Sequence, residues 1–254
     1  MKKTLCIISL TLTGIYYSFT VTAQALSAEE VVKRADEKFN GEKSGYSVMS
    51  MTIVRPSWQR SVDFRNWSLG KDFAMTLITA PARDAGQSFL KRSTEMWSFN
   101  PAINRLIKLP PSMMSQGWMG SDYTNDDIMK ESSVVKDYSD SFSGEEIVGG
   151  RNCYIIKMVA KENAPVIWGH QLRWIDKKDL LVLKVEYYDE DGTLVRTESG
   201  TDIREMDGRL ITARIEVLPA DEPGNKTVVV IKEIKFNIPL QESFFSQQNM
   251  KNIH

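Results

Sequence analysis

Along the chain the apolar positions first recur at helical spacing and then, from residue 46, at every second position. Val31, Val32, Ala35 and Phe39 share one helical face. Ser27 and Glu30 make a capping box, Leu26 and Val31 are placed for a hydrophobic staple, and Gly41 stops the run, so a helix is predicted over 26–40. The apolar stripe shows only that something apolar covers it. The helix is either pinned to a core or laid in a groove that a ligand could also fill.

The period-two region predicts strands. Met49, Met51 and Ile53 share a face, then Trp58, Val62 and Phe64, then Phe73, Met75 and Leu77 after the turn at Gly70-Lys71. Phe89, Trp97 with Phe99, and Leu106 mark three short strands, bounded by Pro101 and Pro110-Pro111. After residue 150 come Tyr154, Ile156 and Met158; Leu172 and Trp174; Leu181, Leu183, Val185 and Tyr187; Ile211, Ala213, Ile215 and Val217; and Val228, Val230, Ile234 and Phe236. Asp191-Gly192 and Asp207-Gly208 are hairpin turn signals. Tight turns between about a dozen strands mean antiparallel pairing, since parallel strands need long crossovers. The pattern has no internal repeat and no linker, so residues 26–254 are expected to form a single domain.

Residues 110–146 break the pattern. Thr124 with Asp127 makes a second capping box and predicts a helix over about 125–132, and the polar stretch 133–146 reads as an exposed connection. Met113, Met114, Trp118 and Met119 stand in a loop rich in Gly, Ser and Pro. Apolar residues in a loop need a cover, and methionine suits surfaces that take varied apolar partners. The loop is either a plug for the open end of a β core or a lid that moves aside.

The composition is that of a globular chain: 254 residues, 42% hydrophobic and 26% charged. Lys2 and Lys3, the apolar run from Leu5 and Ala23-Gln24-Ala25 read as a signal peptide over residues 1–25. Cys6 does not have the setting of a lipidated cysteine. Without that segment the net charge falls from −1 to −3, which gives no electrostatic footprint for nucleic acid. Cys153 then stands alone, so no internal disulfide forms. No later stretch is long and apolar enough to be a spanning helix.

Familiar catalytic and metal-binding signatures are absent. The histidines are His170 and His254. The acid pairs Asp126-Asp127 and Glu145-Glu146 and the run Asp189-Glu190-Asp191 sit at a helix start or in turns, where acids are expected for local reasons. No metal, cofactor or catalytic residue is expected, and a hydrolase is the weakest reading.

Several motifs carry a family resemblance. Thr79-Ala80-Pro81-Ala82-Arg83-Asp84-Ala85-Gly86, Glu95-Met96-Trp97-Ser98-Phe99-Asn100-Pro101, Arg105 to Met114 and Gly117 to Asp127 together resemble the outer membrane lipoprotein-sorting family related to LolA and LolB. The resemblance implies a mainly β fold: a LolA/LolB-like incomplete antiparallel β barrel, here of about 11–12 strands, with covering helices. It implies a periplasmic protein that binds acyl chains of lipoproteins or other lipids. Its implied partners are an inner-membrane export complex and an outer-membrane acceptor. LolA holds its lid shut with an arginine, a role assigned to no arginine here; Arg92 and Arg105 lie nearest. The lipidated N-terminus of LolB has no counterpart, which favours a soluble shuttle.

The expected ligand contacts are therefore Met113, Met114, Trp118 and Met119 in the loop, Val31, Ala35 and Phe39 on the first helix, and Met49, Met51, Trp97 and Leu106 on strands. The strand residues qualify only if their faces point inward, since a slip of one residue turns each of them over. The expected function is a carrier that moves acyl chains toward the outer membrane. The alternative is a non-enzymatic periplasmic sensor or regulatory interaction module of the same fold.

Overall fold

The computed structural model describes residues 26–40, 43–130, 134–164 and 166–253. The expected signal peptide lies outside the described residues, as does the side chain of Phe39. Helix α1 (Ala28–Asn40) starts where the capping signal puts it, with the Glu30 amide donating to Ser27 Oγ at 3.2 Å. The Glu30 carboxylate turns to Arg34 at 2.7 Å, so it does not return to the cap as a reciprocal box requires.

Six strands follow: β1 (Ser44–Arg55), β2 (Trp58–Leu69), β3 (Phe73–Ala80), β4 (Ser88–Arg92), β5 (Glu95–Asn100) and β6 (Arg105–Lys108). A covering segment over residues 109–124 leads into helix α2 (Asn125–Lys130). Seven more strands complete the sheet: β7 (Tyr138–Val148), β8 (Arg151–Ala160), β9 (His170–Asp176), β10 (Val182–Tyr188), β11 (Leu194–Met206), β12 (Arg209–Pro219) and β13 (Lys226–Phe236). A short helix α3 (Gln247–Asn252) lies near the end of the chain.

All 13 strands join one antiparallel sheet in the order β6-β5-β4-β3-β2-β1-β13-β12-β11-β10-β9-β8-β7. The first six strands step outward from β1 and the last seven step inward to β13, which pairs with β1. Among the described residues no ladder joins β6 to β7, so the sheet stays open, as an incomplete barrel does.

Two strands go beyond the apolar pattern. The stretch 133–146 was expected to be a connection, yet β7 begins at Tyr138 and pairs with β8 throughout. It is an edge strand, so polar residues such as Ser141, Glu145 and Glu146 cost nothing on its exposed faces. Strand β11 lies between the two Asp-Gly turns and has no continuous apolar face. Asp207 and Gly208 both take positive φ (50° and 76°), the conformation a two-residue hairpin of this hand requires.

Each face of the sheet has its own cover. On β5, Met96 packs with Met51, Phe64 and Trp118, whereas its neighbour Trp97 packs with Met75, Leu90, Phe245 and Met250 on the opposite face. The tail after β13 covers that opposite face. Phe245 is fully buried there, and Ser88 Oγ donates to the Met250 carbonyl at 2.6 Å. Helix α1 lies on the Met96 side at the other end of the sheet, over Tyr138, Ile156, Met158 and Ile175.

Candidate functional site: a lidded apolar cavity

A cavity of about 400 Å³ lies against the sheet on the Met96 side. That is within the size range of small-molecule pockets. In its wall, strands β1, β2, β4, β12 and β13 contribute an apolar patch of Met51, Phe64, Phe89, Ile215 and Ile231, with Ser47, Asn66, Ser68 and Lys91 as polar positions on the same strands. Its other end, on β9 to β11, is polar, with Gln171, Arg173, Tyr187, Arg196 and Glu198.

The segment 109–124 roofs the cavity. Trp118 is buried and meets Phe64 and Phe89 edge-on, with ring centroids 5.6 and 5.5 Å away. Its own amide donates to the Tyr123 carbonyl at 2.6 Å, and Ser121 Oγ donates to its carbonyl at 2.7 Å. Met119 takes φ 55° and ψ 18°, a left-handed conformation unfavourable to a residue with a side chain. The Trp118 indole N–H is buried and, among the described residues, has no acceptor.

Three arginines from the sheet tie this roof down. Arg55 on β1 pairs with Asp122 at 3.0 Å and donates to the Gly120 carbonyl at 3.0 Å. Arg60 on β2 reaches the Met119 carbonyl at 3.4 Å. Arg196 on β11 donates to Asp127 at 2.6 Å and to the Asp122 carbonyl at 3.2 Å. Thr227 on β13 also holds Asp122, donating from Oγ1 at 2.7 Å. The second capping box forms in full: the Thr124 amide donates to Asp127 Oδ2 at 2.8 Å, and the Asp127 amide donates to Thr124 Oγ1 at 3.0 Å. Asp127 therefore caps α2 and holds Arg196 with one carboxylate.

Arg196 is only 5% exposed and is ringed by aromatic faces. Its guanidinium carbon stands 4.3 Å from the Tyr187 ring centre, 4.8 Å from Trp168 and 5.4 Å from Tyr123. Burial by itself would lower its pKa, but Glu198, Tyr187 and Asp127 more than offset that, so the net shift is upward and the charge is secure. Glu198 lies 2.9 Å from Arg196, an ion-pair contact whose angle falls short of a hydrogen bond. Burial raises the pKa of Glu198 despite that partner, and it also raises that of Tyr187.

The expected ligand contacts divide by face. Trp118, Met49 and Met51 line the cavity. Met114 and Met119 are half-buried and pack against the same cluster behind the wall. Met113 is half-buried and holds the roof through its carbonyl, which accepts from Asn125 at 2.9 Å. Val31 and Ala35 do not reach the cavity; they are buried against β7 to β9. Trp97 and Leu106 face the opposite side, under the C-terminal tail. Their neighbours Met96 and Ile107 take the cavity side instead, because alternation along a strand sends adjacent residues to opposite faces. Arg196, Glu198, Arg173 and Gln171 were not expected. The sequence signals for them were weak: polar residues at alternate positions of β9 and β11.

A 13-stranded open antiparallel sheet with a roofed apolar cavity is the LolA-like class of structure. A family model described as "uncharacterized protein" matches residues 70–252, and the chain belongs to that family. No curated protein matches it. Among solved structures, it is similar to a DUF1329 family protein from Desulfovibrio piger, with 25% identity, 88% of this chain and 97% of that chain covered, and a TM-score of 0.79. An outer membrane lipoprotein-sorting protein domain from Vibrio parahaemolyticus shares the fold at 20% identity, with 88% and 98% of the two chains covered and a TM-score of 0.77. A LolA superfamily protein from Nitrosomonas europaea shares it at 21% identity, with 88% and 99% covered and a TM-score of 0.74.

Proposed function

We propose that residues 26–254 act as one unit, a periplasmic carrier that binds the acyl chains of lipoproteins or other amphipathic lipids and moves them toward the outer membrane without catalysis. The observation that carries this reading is the cavity of about 400 Å³, walled by Met51, Phe64 and Ile231 and roofed by Trp118. A water-sized group takes roughly 30 Å³ in a liquid, so a cavity of about 400 Å³ suits about a dozen chain groups. At ~0.8 kcal/mol for each buried CH₂, a chain of that length offsets most of what it loses on leaving a bilayer. Among the described residues no helix is long and apolar enough to cross a membrane. The lipoprotein-sorting description of the Vibrio parahaemolyticus neighbour supports the same destination.

Native mass spectrometry of the purified protein, with lipid extraction, tests the reading. Retained lipid, together with uptake of a fluorescent fatty acid, is the expected result. A lipid-free protein that also refuses the probe overturns it.

One observation favours the sensor or interaction module. The free edge strand β7 exposes Phe142 (48%) and Ile147 (68%). That reading predicts a stable protein complex that survives replacement of Trp118 and Met119 by polar residues, whereas a carrier loses its lipid.

A further inference from the structure

The two arginines at the polar end of the cavity differ in their surroundings. Arg196 is answered by Asp127 and Glu198. Arg173 on β9 also lines the cavity, yet its Nε and Nη2 donate to a neutral acceptor, Gln171 Oε1, at 3.1 and 2.9 Å. No carboxylate pairs with Arg173 among the described residues. Gln171 is buried and also bonds the Tyr138 side chain, so the acceptor that orients the guanidinium is itself fixed. The result is a cation held in place at the inner surface of an apolar hollow, with N–H groups left over. Its charge reaches Tyr138, Asp140, Tyr187 and Glu198.

A half-buried guanidinium with no carboxylate in direct contact among the described residues is stabilised by an anion that arrives with the guest. We propose that Arg173 receives the anionic head of a single-chain amphiphile whose tail lies along Met51, Phe64 and Ile231. The guest is then an acyl chain ending in carboxylate or phosphate rather than in a neutral group. This rests on the carrier reading and narrows it, because a fully acylated lipoprotein terminus carries no such charge.

The test is titration calorimetry of the full chain at pH 8 with dodecanoate, dodecyl phosphate, dodecanol and dodecylamine. In the unaltered protein at least one of the two anions binds roughly tenfold or more tighter than the alcohol, and the amine binds no better than the alcohol. Whichever anion binds tighter names the head as carboxylate or phosphate. In Arg173→Gln that preference disappears while alcohol binding persists, and Arg173→Lys restores part of it. Equal binding of anions and alcohol by the unaltered protein overturns the proposal and leaves the carrier reading standing. A preference that survives in Arg173→Gln and vanishes in Lys91→Gln also overturns it, by moving the head to the Lys71 and Lys91 rim of the cavity. Failure of all four probes to bind removes the carrier reading and this proposal together.

Discussion

Arg196 reaches from β11 into the first turn of α2, where Nη1 lies 2.6 Å from Asp127 Oδ2 and Nη2 lies 3.2 Å from Oδ1. A two-pronged pair of this kind fixes direction as well as distance. Because Asp127 also caps α2, the same contact that holds the roof against the sheet holds the helix start together. Roof and helix are therefore expected to loosen together.

Arg196→Met tests that coupling. It takes the paired cation from Asp127 and Glu198, whose side chains are 10% and 15% exposed, and breaking one side of a buried pair costs about 3–5 kcal/mol, an upper bound at this exposure. Denaturant unfolding should show that loss. Proteolysis within residues 109–130 should accelerate under native conditions. Pairing Arg196→Met with Asp127→Asn should recover part of the cost, since the second change removes one stranded charge. Strictly additive losses in the double variant would mean the two groups are not coupled.

Asp140 on β7 predicts a pH effect of known sign. Burial is the main cause that pushes its carboxyl up to about 6; Arg173 and Lys161 pull the other way and Glu29 adds to the rise. Its Oδ1 has no hydrogen-bond partner among the described residues. The folded state then holds this proton more tightly than the unfolded chain does. Its contribution is present below the unfolded value near 4 and is lost as the pH rises through about 6. Asp140→Asn should remove that dependence and gain on the unaltered protein between pH 4 and 7. Two pKa units correspond to about 3 kcal/mol at most, less at this half-buried site where solvent screens the charge. Thermal melts across that range decide the matter: parallel curves for the two proteins rule the effect out.

The apolar half of this fold is legible in the sequence because alternation is the record that a half-buried strand leaves. Met49, Met51 and Ile53 read directly as one face of β1. The record fails in three places for different reasons. On β5 both faces are covered, so Met96 and Trp97 are both apolar and alternation no longer says which one faces the cavity. On β11 the cavity-lining positions Arg196 and Glu198 are ionisable rather than apolar, because Arg196 pairs with Asp127 and stands 2.9 Å from Glu198. The tail after β13 has no period at all. Phe244 and Phe245 are anchored by the sheet face that they cover, and no local pattern reveals such long-range partners.

Met49→Trp tests whether the hollow is used. Met49 lines the cavity and faces Phe64 on β2 and Ile231 on β13 across the ladders. A larger ring there enters empty space, so stability should change by less than about 1.5 kcal/mol. Uptake of a fluorescent fatty acid should fall severalfold while the melting curve barely moves. Unchanged uptake would place the ligand elsewhere.

The opposite face predicts the reverse outcome. Phe245 is fully buried, its ring centre 5.7 Å from Phe73 and 5.2 Å from Phe244, in the same cluster as Trp97 and Leu106. Phe245→Ala should cost about 3–5 kcal/mol, the usual loss for a buried phenylalanine whose site cannot collapse. Trp97→Ala should fall in the same range, because Trp97 supports the tail rather than the cavity. Neither change touches the roof or its three arginines, so proteolysis within residues 109–130 and fatty acid uptake at temperatures well below the transition should stay as they were. Denaturant unfolding and ligand titration on the same preparations separate the two faces. If Trp97→Ala weakened uptake as strongly as Met49→Trp while leaving stability intact, the division of the sheet into a binding face and a supporting face would be wrong.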